Sequence, residues 1–289
     1  MAHPRSGFAA APQGGPDRAE QAPARLRVAV ERPAARKSQG AASGRAKPVP
    51  RRLLGTRAPV PTMMPSPRRV WLFDLDDTLH DASSASMREL HVSMGQYIEH
   101  NLGVTTTESD VLRRKYWQRY GATLLGLVRH HGVKAAHFLH HTHLLPGLEQ
   151  RVRGHGADIA ALKRLRGRKF ILTNAPAAYA QRVLGVLGIR HLFDGVLAIE
   201  DMHMFGDLRP KPDARMLRAV AARLRVAPSR CVLVEDTLVH QKAARRVGMG
   251  TVWMQRWLPA RVARQQRKPP YVDRRIRRLL DLLDWPDFP

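Results

Sequence analysis

The chain has 289 residues, a formal net charge of +25 and a single cysteine, Cys231. One cysteine excludes a disulfide framework and fits a reducing compartment, so we expect a cytoplasmic protein. No apolar run approaches the roughly 20 residues that a transmembrane helix requires, so we expect no membrane partner. The length allows one or two domains with a full hydrophobic core.

Residues 1–67 form a basic leader that is rich in Ala, Pro, Gly and Arg. It has few large apolar residues and no hydrophobic period, so it cannot bury enough surface to offset its ordering entropy, and we predict that it is disordered. Its charge makes a nucleic-acid-binding protein the alternative from a different class. Single-strand binders interleave aromatic with basic residues, and the leader lacks this pattern, so we expect no nucleic-acid partner.

The first strand signal is Val70-Trp71-Leu72-Phe73, which runs directly into Asp74-Leu75-Asp76-Asp77-Thr78. A continuous apolar run predicts a strand buried on both faces, as in a parallel sheet. Ligands of such sheets bind beyond the carboxyl ends of the strands, where Asp74 and Asp76 would lie. Residues two apart on an extended chain point to opposite faces, so the two carboxylates converge only if the strand ends in a turn. The ordinary alternative is a solvated acidic loop.

The remaining elements predict the fold class. Residues 82–149 show only helical patterns, at 85–101, 108–120, 122–131 and 134–141, which indicates a helical block inserted after the first strand. From residue 158 onward helices and strands alternate, which is typical of a parallel sheet with helices on both faces. We predict an α/β fold: a Rossmann-like core formed by residues 68–81 and 150–258, with an α-helical cap at 82–149. The tail, 259–289, is predicted to contain an amphipathic helix at Val272–Leu283.

Three further polar signals follow the first one. Thr173-Asn174 stands at the end of a strand and before a helix, a position that suits an anion. Lys211 lies between two prolines, and Glu235-Asp236 ends another apolar strand. Taken singly, Thr173-Asn174 favours an ordinary helix cap and Lys211 a surface lysine, while Glu235-Asp236 fits a solvated turn equally well. Their joint order along one α/β chain favours a common site.

Together, these residues resemble the four motifs of the haloacid dehalogenase superfamily of aspartate-dependent phosphohydrolases. The resemblance spans residues 70–254. It implies a Mg²⁺ cofactor and a small phosphorylated substrate. The implied roles are Asp74 and Asp76 as catalytic residues, Thr173, Asn174 and Lys211 as phosphate ligands, Asp74, Asp76 and Asp236 as metal ligands, and Glu235 and Thr78 as supporting residues. Where relatives often carry another acidic or amide residue, this chain has Val239 and His240.

Within the helical block, the segment from Tyr116 to Gly121, followed by Gly126-Leu127-Val128, resembles the cap of the pyrimidine 5′-nucleotidase group. This resemblance implies a Mg²⁺-dependent phosphomonoesterase that forms an aspartyl-phosphate and hydrolyses a pyrimidine nucleoside 5′-monophosphate. Tyr116 and Tyr120 are candidates to stack on the base, and their alternative is packing at helical i, i+4 spacing. A phosphatase of the same superfamily acting on phosphoglycolate or a sugar phosphate remains an open alternative.

Overall fold

A computed structural model describes residues 69–258 and 267–285. Its strands are β1 (Val70–Phe73), β2 (Arg168–Leu172), β3 (Gly195–Leu197), β4 (His203–Met204), β5 (Asp207–Leu208), β6 (Cys231–Glu235), β7 (Gly250–Met254) and β8 (Arg274–Ile276). Its α-helices are α1 (Ala82–Ala85), α2 (Met87–Leu102), α3 (Thr106–Tyr120), α4 (Thr123–His131), α5 (Ala135–Thr142), α6 (Leu148–Arg151), α7 (Gly156–Arg164), α8 (Ala177–Leu187), α9 (Ala214–Arg223) and α10 (Leu238–Arg246).

Six of the strands form one parallel sheet in the order β3-β2-β1-β6-β7-β8. All four residues of β1 are buried. Trp71 and Phe73 pack into the apolar cluster on one face of the sheet, and Val70 and Leu72 pack into the cluster on the other. The predicted α/β fold with a Rossmann-like parallel sheet is therefore confirmed.

The strand order places a crevice beside β1. From β1 the chain continues to β2 and β3 on one side, and it returns to β6 and β7 on the other side. Phe73 is paired with Val234, so β1 and β6 end at the same edge of the sheet. Open α/β sheets bind ligands at such a switch point.

Helices α1 to α6 all lie between β1 and β2 in the chain. They form a helical insertion with its own buried apolar cluster, which includes Ile98, Leu127 and Phe138. The division between core and cap at residues 81/82 and 149/150 stays a prediction. Among the described helices, none combines the length and apolar character needed to cross a bilayer.

The tail differs from its prediction, and the leader at 1–67 lies outside the described residues. Instead of a helix at Val272–Leu283, the chain forms β8, which pairs with the edge strand β7, and then a 3-10 turn at Leu279–Leu282. Ile276, Leu279 and Leu282 are buried, and their three-residue spacing imitates a helical period. Pairing with the open sheet edge overrides this local pattern.

Candidate active site

The ends of β1 and β6 bring two carboxylates together. The backbone N–H of Asp74 donates a 2.9 Å hydrogen bond to the carbonyl of Val234, which extends the pairing of the two strands by one residue. Glu235 is the last residue of β6. Both side chains are buried at this edge of the sheet, so each needs a positively charged or hydrogen-bonding partner.

Lys211 is that partner. Its Nζ donates to Oδ1 of Asp74 at 2.6 Å and to Oε2 of Glu235 at 2.7 Å, and the residue is only 1% exposed. Burial alone would lower the pKa of the ammonium group, but the two carboxylates raise it above its ordinary value. Lys211 therefore stays charged between the two acids.

Asn174 holds the loop that carries Lys211. Its Nδ2 donates to the Lys211 carbonyl at 2.9 Å, and its Oδ1 accepts from the Lys211 N–H at 2.9 Å. Thr173 accepts a 3.0 Å bond from the N–H of Ala175 and so shapes the turn before α8. The contacts that the structure describes for these two side chains are thus with the protein backbone, and direct contact with phosphate stays a prediction.

Asp74, Glu235 and Asp236 form an acidic cluster, with one oxygen from each lying within 4.8 Å of the others. Burial, together with Glu235, raises the pKa of Asp74 to about 8 and raises that of Asp236 well above its ordinary value. Burial alone would also raise the pKa of Glu235, but Lys211 and His240, whose Nδ1 lies 3.0 Å away, hold it low.

One ammonium group cannot balance this cluster. Burial and the neighbouring Glu235 raise the pKa values of Asp74 and Asp236, so both can be charged together only if further positive charge offsets them. An oxygen-only donor set at this spacing suits a hard divalent cation. The residues therefore fit the predicted metal site, with Asp74 and Asp236 as side-chain donors and Glu235 already paired with Lys211.

A turn after β1 brings Asp76 to the same cavity as Asp74. The N–H of Leu79 bonds to the Leu75 carbonyl at 2.9 Å, and Asp77 adopts a left-handed backbone conformation with φ of 53°. Both Asp74 and Asp76 line a cavity of about 650 Å³. The condition set by the sequence, that the strand must end in a turn, is met.

Asp76 is held on one oxygen by two side chains. His80 Nε2 lies 2.9 Å from Oδ1, and the Tyr179 hydroxyl donates to the same atom at 2.7 Å. Burial alone would raise the pKa of Asp76, but these bonds lower it. Thr78, predicted as a supporting residue, lies with its Oγ1 3.5 Å from Oδ2 of Asp74.

A second cavity, the apolar chamber, has a volume of about 500 Å³ and adjoins the first. The two cavities share Asp76, Trp117 and Asn174 among their lining residues. The chamber wall is mostly apolar, and its members include Met87, Leu90, Met94, Leu124, Phe138, Leu139 and Ile199. The chamber thus provides a mostly apolar lining next to the cavity that contains Asp74.

Residues 69–248 match the sequence profile of haloacid dehalogenase-like hydrolases, which is more than half of the chain. The chain belongs to the haloacid dehalogenase-like hydrolase family. The family resemblance carried by the four motifs is thereby confirmed.

Two curated proteins are similar to parts of this chain. Phosphate metabolism protein 8 of Saccharomyces cerevisiae is 24% identical over 207 residues, which cover 66% of this chain and 64% of that protein. Fructose-1-phosphate phosphatase YqaB of Escherichia coli is 38% identical over 80 residues, 28% of this chain and 40% of that protein. The aligned segments span less than two thirds of the length of either relative.

Solved structures show the same family fold. A HAD phosphatase from Thermococcus onnurineus has a TM-score of 0.51 and 22% identity, covering 74% of this chain and 95% of that one. CbbY from Rhodobacter sphaeroides, solved in complex with phosphate, has a TM-score of 0.52 and 20% identity, covering 74% of this chain and 96% of that one.

Within the helical insertion, the two tyrosines predicted as substrate contacts lie in different surroundings, and their roles stay predictions. Tyr120 lines the active-site cavity, whereas Tyr116 is 4% exposed, bonds to His131 at 2.7 Å and is not among the lining residues. Trp117, which sequence reasoning missed, lines both cavities and is 62% exposed. The sequence signal that could have identified Trp117 is a large aromatic residue, followed by Gln118, in an otherwise polar stretch.

Proposed function

We propose that this haloacid dehalogenase-like hydrolase is a Mg²⁺-dependent phosphomonoesterase that acts on a nucleoside 5′-monophosphate, preferably a pyrimidine nucleotide. The observation that carries the proposal is the contact of Lys211 with Asp74 beside the acidic cluster. A carboxylate can attack a phosphate ester only if cations offset the repulsion, because each pair of like charges at 4 Å costs about 4 kcal/mol at an effective dielectric of 20.

Asp74 is the nucleophile in this proposal. A carboxylate oxygen of Asp74 forms a bond to phosphorus as the bond from phosphorus to the ester oxygen breaks, which gives an aspartyl-phosphate. Lys211 lies between Asp74 and Glu235 and offsets negative charge on the transferred group. Mg²⁺, bound by Asp74, Asp236 and the backbone carbonyl of Asp76, would supply further charge neutralisation for the phosphoryl group.

Asp76 is the general acid and general base in this proposal. It gives a proton to the leaving ester oxygen and then takes one from the water that hydrolyses the aspartyl-phosphate. His80 and Tyr179 lower its pKa, so it is charged before the substrate arrives. The negative charge of an arriving phosphate ester favours the protonated form of Asp76, which takes up this proton from solvent as the substrate binds and returns one to solvent after phosphate leaves. Thr173 and Asn174 line the cavity where the phosphate oxygens would lie.

The apolar chamber supports the nucleotide as substrate. Trp117 exposes a large aromatic surface where the two cavities join, and Tyr120 lines the phosphate side. A planar base could pack on such a surface, and aromatic pairs contribute about 0.5–1.5 kcal/mol beyond their buried area. The E. coli relative is a fructose-1-phosphate phosphatase by name, which favours a sugar phosphate as the second candidate substrate.

Phosphate release from a substrate panel tests the proposal. UMP, CMP, AMP, fructose 1-phosphate and phosphoglycolate are assayed with Mg²⁺ and with EDTA. We expect the highest kcat/KM for UMP or CMP, and only with Mg²⁺. A preference for fructose 1-phosphate or phosphoglycolate would overturn the nucleotide assignment and leave the phosphatase assignment intact.

Asp74→Asn tests the chemistry. The variant should lose activity by at least about 10³-fold while keeping its fold, because the amide cannot act as the nucleophile. Asp207→Asn is the matched control, since Asp207 lies on the exposed β4–β5 hairpin and pairs with Arg209. Wild-type activity in Asp74→Asn, after deamidation has been excluded by mass spectrometry, would overturn the mechanism.

A further inference from the structure

A chain of hydrogen bonds reaches Asp76 from the start of the helical insertion. Ser86 Oγ lies 2.9 Å from the Tyr179 hydroxyl, and that hydroxyl donates to Asp76 Oδ1 at 2.7 Å. Ser86 stands between α1 and α2, whereas Tyr179 belongs to α8 of the core. Asp76 is therefore connected both to the core and to the beginning of the insertion.

The direction of these bonds follows from the groups present. The Tyr179 hydroxyl donates its proton to Asp76, so the Ser86 hydroxyl, which also lies 3.3 Å from the Ala82 carbonyl, is the donor in its shorter contact with the Tyr179 oxygen. His80 is fully buried, and its Nδ1 has no hydrogen-bond partner among the described residues. We therefore assign a proton to Nε2, which shares it with Asp76 at 2.9 Å.

Both bonds end on the same carboxylate oxygen. Oδ1 of Asp76 accepts hydrogen bonds from Tyr179 and His80. The hydrogen bonds described for this side chain leave Oδ2 available. The side chain is 19% exposed and lines both cavities. Two donors on one oxygen fix the rotation of a carboxylate, so the second oxygen has one preferred direction.

We infer that Tyr179 is a positioning residue, supported by Ser86 and His80, that orients Asp76 for proton transfer to the leaving group. The inference rests on the proposed function, because it requires Asp76 to act as the general acid. It gives the buried hydroxyl of Tyr179 a role that ring packing does not need. The ring itself belongs to the main apolar cluster and would stay packed without the hydroxyl.

The dependence of kcat/KM on the leaving group distinguishes a positioning role of Tyr179 from a purely structural one. UMP has a poor leaving group that requires a proton, whereas p-nitrophenyl phosphate has a good leaving group that requires little proton transfer. General acid catalysis contributes about 10²–10⁴-fold, so we expect Tyr179→Phe to lower kcat/KM for UMP by about tenfold or more, and for p-nitrophenyl phosphate by less than about threefold. Ser86→Ala should shift the ratio in the same direction by a smaller factor.

Tyr97→Phe is the matched control. Tyr97 is buried in the insertion, and its hydroxyl makes one 2.7 Å bond, to His137. Removal of this hydroxyl should leave the ratio of the two kcat/KM values unchanged. Thermal unfolding of each variant reports its stability, and if Tyr179→Phe does not fold, Ser86→Ala provides the test.

Two outcomes would overturn the inference: an equal loss for both substrates in Tyr179→Phe, or no loss for either. These differ from failure of the proposed function, which would appear as activity retained in Asp74→Asn. If Asp74→Asn is inactive but Tyr179→Phe leaves the ratio of the kcat/KM values for UMP and p-nitrophenyl phosphate unchanged, only the positioning role of Tyr179 is contradicted.

Discussion

Lys211 and Asp74 form a buried ion pair, with Nζ and Oδ1 2.6 Å apart although the residues are 137 positions apart in the chain. The same ammonium group contacts Glu235, so one cation joins the ends of two central strands. Removing one partner of such a pair leaves an uncompensated charge in the protein interior. The site is thus coupled to the stability of the fold, and the predictions below use this coupling.

Lys211→Met should reduce both activity and stability. We expect a loss of about 3–5 kcal/mol in the free energy of unfolding at pH 8, because two carboxylates then lack their cation. Without the ammonium group, the folded-state pKa of Asp74, which is already raised, increases further, and that of Glu235 rises above its unfolded value. The deficit should therefore be small below about pH 4 and grow as the pH rises.

Urea denaturation of the wild type and Lys211→Met at pH 5 and pH 8 measures this deficit. Lys163→Met is the control, since Lys163 is exposed on α7 and should leave stability nearly unchanged. An equal deficit at both pH values would contradict the electrostatic explanation and would indicate a loss of packing.

Divalent cations should stabilise the protein in a pH-dependent manner. The pKa of Asp74 is raised from 3.8 to about 8, so in EDTA its contribution to stability is fully present below about pH 4 and is lost as the pH rises through 8. Bound Mg²⁺ should remove this loss, because it favours the charged carboxylate. The increase in Tm caused by Mg²⁺ should therefore be larger at pH 8 than at pH 5.

Thermal unfolding with Mg²⁺ or EDTA at these two pH values provides the measurement. Asp236→Asn should abolish most of the Mg²⁺-dependent increase in Tm, whereas Asp207→Asn should retain it. A Mg²⁺ effect of the same size in Asp236→Asn would show that the ion binds elsewhere.

Trp117→Ala should selectively raise KM for substrates whose leaving group carries a planar base. A lost aromatic contact of about 0.5–1.5 kcal/mol corresponds to a rise of about two- to twelvefold in KM for UMP, with little change for phosphoglycolate. Tyr116→Phe is the control, because its hydroxyl bonds to His131 and its ring is buried away from the cavity lining. Equal changes in KM for both substrates would show that Trp117 contributes to the shape of the site and not to recognition of the base.

Gly126→Ala should destabilise the helical insertion. A Cβ at this position would lie 2.0 Å from the ring of Tyr116, so α4 could no longer pack against α3 without displacement. Overpacking of this kind costs about 1–3 kcal/mol. Gly185→Ala in α8 is the matched control, since its Cβ would meet open space and helix propensity favours alanine by about 1 kcal/mol. Chemical denaturation should show opposite signs for the two variants, and equal signs would contradict the packing argument.

Much of the fold could be predicted because its signals are local. The predicted first strand and the four predicted helices of the insertion are present with ends within two residues of those observed, and helices and strands alternate after residue 158 as predicted; the structure adds α1, α6 and the β4–β5 hairpin. An apolar run such as Val70–Phe73 reports burial on both faces directly. The tail was predicted wrongly because the spacing of Ile276, Leu279 and Leu282 fits a helix, while the free edge of β7 provides hydrogen bonds that the segment itself cannot reveal.

The sequence by itself determined which chemical groups the site contains, because the four motifs follow strands or precede helices in a recognisable order. Only the tertiary structure decided how those groups are supported. Tyr179 bonds to Asp76 across 103 positions, and α3 turns Trp117, not Tyr116, toward the cavity. The physical reason is that periodicity and capping depend on neighbouring residues, whereas contacts between distant side chains depend on strand order, register and the rotation of each helix about its axis.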